Sequence, residues 1–187
     1  DDIGVKQMWY RKELDGSIRL PGSMTSNHLG DDITVNTPWT GGIEDSSWFR
    51  KPQYAKYREA GHIKVPFWLQ PEKYYKGVAW YQTDVTIPAA WSHKVVELFV
   101  ERAHWTTTVY LDDQLAGEEN SLGTPHDYLM LKGLSAGKHT LTIRIDNRIN
   151  DINIGMNLQS IIDHTQGNWN GMVGRLYMAA KPASFIK

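Results

Sequence analysis

The densest set of groups able to grip a polar ligand lies near the C-terminal end, in Asp163-His164-Thr165-Gln166-Gly167-Asn168-Trp169-Asn170-Gly171. Sugar hydroxyls favour paired hydrogen bonds from Asp, Asn and Gln beside an aromatic plate. Asp163, His164, Gln166, Asn168 and Trp169 offer that set. An ordinary polar loop has the same composition. Arg102, His104 and Trp105 form a second group at the junction of two predicted strands, where structural and ligand roles weigh equally. These eight residues are the candidates for binding carbohydrate.

Catalytic chemistry is harder to place. Retaining glycoside cleavage needs two carboxyl groups about 5–5.5 Å apart. Glu97 and Glu101 share one strand face four residues apart, roughly 13 Å at strand rise. That is too far for retention and for the usual inverting pair. Glu118 and Glu119 point to opposite faces of an extended chain. No Gly-x-Ser-x-Gly elbow and no glycine-rich phosphate loop occurs. The seven histidines show neither His-x-His nor His-x3-His spacing, and no HExxH frame is present. No cofactor is expected. Asp31-Asp32, Asp112-Asp113 and Asp151 are possible Ca2+ donors, but acids in turns are more often turn formers.

Composition narrows the class. A length of 187 residues suits one domain with a sizeable core. Without cysteine there is no disulfide, thiolate metal site or thiol nucleophile. A net charge of −1 with scattered Lys and Arg argues against an electrostatic grip on nucleic acid. No apolar run is long enough to span a bilayer. The chain opens on Asp1-Asp2 without an initiator Met, so neither end is expected to be natural. Eight Trp and nine Tyr are a heavy aromatic load, divided between core packing and candidate sugar platforms.

The elements that must position these residues are strands. Val78–Ile87 alternates, with Ala79, Tyr81, Val85 and Ile87 on one face. Val95–Arg102 places Val96, Leu98 and Val100 inward against Glu97 and Glu101. Thr106–Leu111 is β-branched and aromatic, His139–Asp146 alternates with Leu141, Ile143 and Ile145 inward, and Gly171–Ala180 makes a last strand. This spacing, with Gly, Pro and Asp turns and no long helical period, predicts an all-β fold, an antiparallel sandwich or jelly roll over 78–180. Residues 1–77 read as a long irregular excursion. Short strands are predicted at 5–10, 17–20 and 33–35, a turn at 21–23, and a short helix near Gln53–Ala60. Its aromatic residues Trp39, Trp48, Phe49, Phe67 and Trp68 would partly face further domains.

Five segments resemble one family in order. Ala79-Trp80-Tyr81-Gln82-Thr83-Asp84-Val85-Thr86-Ile87-Pro88 resembles a "W-Y-x-x-x-(F/V)-x-I-P" strand. Val96–Trp105 with Thr108–Gly117 is similar to the following hairpin, and Thr124-Pro125-His126-Asp127-Tyr128 falls at its next turn. Leu141–Arg148 looks like an "L-x-(V/I)-R-(V/I)-D-N" strand, and Asn168–Leu176 like a terminal "W-x-G-(I/M)-x-R" segment. On these residues the chain resembles the N-terminal sugar-binding domain of glycoside hydrolase family 2, which includes β-galactosidases, β-glucuronidases and β-mannosidases. Three departures stand out. Asp112-Asp113 replaces an Asn-Gly turn, the terminal motif holds one extra residue between Gly171 and Arg175, and Gly167 replaces an Asp that reaches the sugar in β-galactosidases.

The resemblance implies a galactose-binding-domain-like jelly roll without catalytic residues. An immunoglobulin-like sandwich and a (β/α)8 barrel would follow it in the parent chain, the barrel carrying the two catalytic Glu. The barrel needs about 250 residues, which this chain cannot contain. The expected partners are carbohydrate and those two domains, in a secreted or periplasmic, β-galactosidase-like hydrolase. A free-standing carbohydrate-binding module and a purely structural sandwich are the rival readings.

Overall fold

The computed structural model describes residues 2–39, 50–65, 69–92, 94–130, 134–149, 163, 167–182 and 184. Its strands are β1 (Gly22–Ser23), β2 (Asp31–Asp32), β3 (Lys73–Tyr74), β4 (Val78–Ile87), β5 (Val95–His104), β6 (Thr106–Leu111), β7 (Gln114–Glu119), β8 (His126–Met130), β9 (Gly137–Asp146) and β10 (Gly171–Lys181). One antiparallel sheet runs β1-β10-β5-β8 and the other β4-β9-β6-β7, with β2 and β3 paired separately. The fold is an all-β sandwich, as the alternation predicts.

The core fills the space between the two sheets. Ala79, Tyr81 and Ile87 of β4, Val109 of β6 and Leu141, Ile143 and Ile145 of β9 meet Val96, Leu98 and Val100 of β5, Met172 of β10 and Tyr128 of β8. Each fully buried aliphatic side chain stabilises the fold by about 1.5–3 kcal/mol relative to exposure. The predicted outward position of Glu97 is corrected in one respect. It lies off the core face yet is buried, because Lys181 on the neighbouring strand closes over it as an ion pair.

The N-terminal predictions fare differently. In place of a strand at 5–10 there is a short helix, α1 (Ile3–Lys6), and a 3-10 turn at Trp9–Arg11. The Asp2 carboxylate caps the helix by accepting from Gly4 N at 2.9 Å, and it also takes the Arg144 guanidinium. Gly4 then rests on the Trp80 indole, whose buried Nε1 has no hydrogen-bond partner among the described residues, so this contact is one of packing. Tyr10 stacks on Tyr110 at 4.3 Å, and Gln82 bonds Leu14 N and the Lys12 carbonyl. The segment crosses the outer face of the β4-β9-β6 sheet, where no strand edge is available for pairing.

Residues 17–20 are likewise not a strand. Ile18 and Leu20 pack against the core, and the pairing falls on Gly22–Ser23, where a turn was predicted. The strand expected at 33–35 lies instead at Asp31–Asp32. The helix expected near Gln53–Ala60 is a 3-10 segment, Pro52–Tyr57. Trp39 meets Tyr74 edge-on, whereas Trp48, Phe49, Phe67 and Trp68 fall outside the described residues.

The three departures from the family pattern have local explanations. At the β6–β7 turn Asp112 takes φ +53°, a conformation that short polar side chains tolerate. Its carboxylate accepts from Thr140 N at 2.9 Å and pairs with His139 Nδ1 at 2.8 Å. The extra residue before Arg175 sits in a β-bulge, where Gly174 and Arg175 together oppose Glu101. Gly174 takes φ +76°, and the Glu101 carboxylate accepts from both Arg175 N and Arg175 Nε. Gly167 also takes positive φ, +77°.

Candidate functional site

The end of β5 and the segment entering β10 meet at one end of the sandwich. Three buried asparagines hold that junction. Asn170 donates to the Gly77 and Ile145 carbonyls at 3.1 and 3.0 Å and accepts from the Tyr81 hydroxyl at 2.7 Å. Asn147 accepts from Gly77 N at 2.7 Å and donates to the Tyr75 carbonyl. Asn168 donates through Nδ2 to the Asn147 carbonyl at 3.1 Å, while its backbone N–H bonds the Asp163 carboxylate at 2.9 Å. Buried polar groups are costly unless satisfied, and these amides are bonded on both ends or bridge backbone groups. Gly171 follows because a side chain there would strike the β1 backbone, 2.5 Å from Ser23 Cα.

His104, the last residue of β5, joins the same junction. Its Nε2 lies 3.2 Å from Asn168 Oδ1. Asn168 Nδ2 is already donating, so Oδ1 is the acceptor and Nε2 carries the proton. Burial pushes the imidazole down to about 4, against a smaller opposing pull from the Asn168 bond. The ring is therefore neutral above that value. Trp169 stacks on it, with centroids 5.0 Å apart and planes 20° from parallel, and remains half-buried. The arrangement is an indole plate on a rigid, uncharged support.

The structure thus brings together Asp163, His104, Asn168 and Trp169. Asp163 and Asn168 are turned into the protein, at 5% and 4% exposure. Trp105 is also buried and donates from Nε1 to the Asn120 carbonyl at 2.6 Å. Arg102 is exposed on β5 opposite Val173. His164 and Gln166 lie outside the described residues. Asn147, Asn170 and Tyr81, which hold the junction, were not among the sequence candidates. Their signal was present, since all three sit in the segments that carry the family resemblance.

The acids weighed for catalysis are engaged elsewhere. Glu97 pairs with Lys181, Glu101 with Arg175 at 2.9 Å, and Glu118 accepts from the Thr108 hydroxyl at 3.0 Å. Among the described residues, no three His, Asp or Glu side chains gather as metal ligands. Asp32 pairs with Lys73, and Asp151 lies outside the described residues.

No family model and no curated protein sequence matches the chain. Solved structures do match in fold. A β-glucuronidase from Ruminococcus gnavus in complex with uronic deoxynojirimycin aligns with 97% of this chain and 27% of its own, at TM-score 0.60 and 18% identity. A β-glucuronidase from an uncultured Clostridium species aligns with 96% of this chain and 26% of its own, at TM-score 0.59 and 15% identity. β-Glucuronidase 2 of Bacteroides uniformis aligns over 80% of this chain and 18% of its own, at TM-score 0.50 and 21% identity. The chain spans about a quarter of the length of the first two. At these identities the likeness is one of fold.

Proposed function

We propose that this chain is the noncatalytic N-terminal sandwich of a family 2 glycoside hydrolase, a retaining β-glycosidase of carbohydrate metabolism. In this reading it buttresses the catalytic barrel and contributes the segment around Asp163–Gly171 to the rim of the sugar pocket. The alignment of nearly the whole chain with about a quarter of the Ruminococcus gnavus enzyme carries the reading most directly. The five family-like segments, in order from Trp80 to Leu176, support it independently. So does the Trp169 plate, a surface suited to the C–H face of a pyranose.

The partners are carbohydrate and the immunoglobulin-like and barrel domains of the parent enzyme, which is secreted or periplasmic. Neither nucleic acid nor a membrane takes part. The matched enzymes are named as β-glucuronidases, so a glucuronide joins a galactoside as the first substrate to test.

The test has two parts. The 187-residue chain is assayed against p-nitrophenyl β-D-glucuronide and β-D-galactoside, and then titrated calorimetrically with the corresponding methyl glycosides and a panel of oligosaccharides. No turnover is expected, and turnover abolished by one carboxylate substitution would overturn the reading. Micromolar to low-millimolar binding that is lost in Trp169→Ala would mark the chain as a carbohydrate-binding module in its own right.

A further inference from the structure

We infer that His104 is the positioning residue of the Trp169 plate: its buried ring, locked by Asn168, fixes the orientation in which the indole meets a pyranose. The inference rests on the reading of Trp169 as a sugar platform proposed above.

The backbone at Trp169 is held from both sides. Asn168 and Asn170 point into the protein, at 4% and 0% exposure, and together they bond three other segments of the chain, at 77–81, 104 and 145–147. What remains free at Trp169 is rotation about its side-chain bonds. A plate recognises a ring only when that rotation is removed before binding. Against the indole lies the His104 imidazole, 5.0 Å away and 20° from parallel. His104 cannot turn without breaking its 3.2 Å bond to Asn168 in a buried site. The order of β5 therefore reaches the loop through one ring-on-ring contact. Asn168 acts twice, once on the backbone beside Trp169 and once on the ring beneath its side chain.

Two roles for His104 make opposite predictions. As a hydrogen-bonding strut it would be replaced by glutamine, which keeps a donor and loses the ring. As a support for the plate it would be replaced by phenylalanine, which keeps the ring and loses the donor.

The experiment compares His104→Phe, His104→Gln and His104→Ala in the whole chain. The readout is the order parameter of the Trp169 indole N–H, assigned by its disappearance in Trp169→Phe, with no ligand present. Each variant is then titrated with methyl β-D-glucuronide and methyl β-D-galactoside. The expected result is a Trp169 indole nearest to wild-type order in the Phe variant, which keeps the ring though not its bond to Asn168, and mobile in the Gln and Ala variants. Binding should weaken about two- to tenfold in the latter pair, the range for loss of one aromatic stack. An indole equally ordered in all three variants, or rescue by Gln and not by Phe, would overturn the inference. If the Ala variant does not fold, the Phe and Gln pair decides alone. Binding of neither glycoside to the wild type overturns the reading of Trp169 as a platform that acts without the barrel, while the ligand-free order parameters still decide whether His104 holds the indole.

Discussion

Replacing His104 by phenylalanine should remove a defined part of the acid sensitivity of this fold. In the native state burial holds the imidazole down to about 4, against 6.5 ordinarily. Between those values the unfolded chain takes up a proton that the native chain refuses. Stability contributed by the neutral ring is thus fully present above about pH 6.5 and is lost as pH falls toward 4. At about 1.36 kcal/mol per pH unit, the loss by pH 4 comes to about 3 kcal/mol. The assay is urea unfolding of wild type and His104→Phe at several values from pH 4 to 7.5. Carboxylate terms, such as that of Asp2, also weaken the fold on acidification, but they are common to both proteins and cancel in the difference. The His139 pair with Asp112 works in the opposite direction, and it too cancels. His104→Phe should be the less stable protein at pH 7.5, where the bond between His104 Nε2 and Asn168 Oδ1 is lost, by about 1–3 kcal/mol. Its disadvantage should shrink or reverse by pH 4. A stability difference that stays constant across the range would refute the argument, because it would mean that native and unfolded chains protonate this ring alike.

Three further outcomes are expected. Gly4→Ala places a methyl carbon 2.8 Å from Trp80 Cζ2 and nearer still to Nε1 and Cε2. It should cost about 1–3 kcal/mol in denaturant unfolding by lifting the N-terminal segment from the sheet. Asn170→Leu leaves the Tyr81 hydroxyl without its acceptor and takes one bond each from the Ile145 carbonyl and from the Gly77 carbonyl, which keeps Asn147 N at 3.3 Å. It should cost about 1–3 kcal/mol, the range for a buried polar group left unpaired, with a matching fall in thermal midpoint. Gly174→Ala forces a side chain onto φ +76° and to 2.9 Å from the Glu101 carboxylate. It should cost about 1–2 kcal/mol for the left-handed backbone alone, and hydrogen exchange at Arg175 N should accelerate as its bond to Glu101 fails.

The long strands were legible because their alternation is strict and one face of each meets the core. That holds for Val78–Ile87 and His139–Asp146, whereas Thr106–Leu111 was legible from its β-branched and aromatic residues. Strand β8 was hidden, and its segment was read as a turn, because polar His126 alternates with Tyr128 on the inward side. His126 is buried only because the Thr107 hydroxyl and the Ser121 carbonyl bond its two ring nitrogens. The first residues of the chain misled for a related reason. Their conformation depends on Arg144 and Trp80, which are adjacent in space and far away in sequence.

From the sequence alone came the sandwich, the positions of its principal strands along the chain, and the residue types at the end that carries Trp169. Those depend on periodicity and composition, which are local properties. Which way the polar residues face was decided only by the tertiary structure. Asp163 and Asn168 read as ligand donors because a free carboxylate or amide is a good one. In the fold their groups bond the chain itself, Asp163 to Asn168 N and Asn168 to Asn147 and His104. An amide buried among backbone groups must satisfy them, whatever else its type would allow it to bind. Trp169 stays half-buried and stacked on His104, and the ring beneath it is known only once β5 and the segment entering β10 meet.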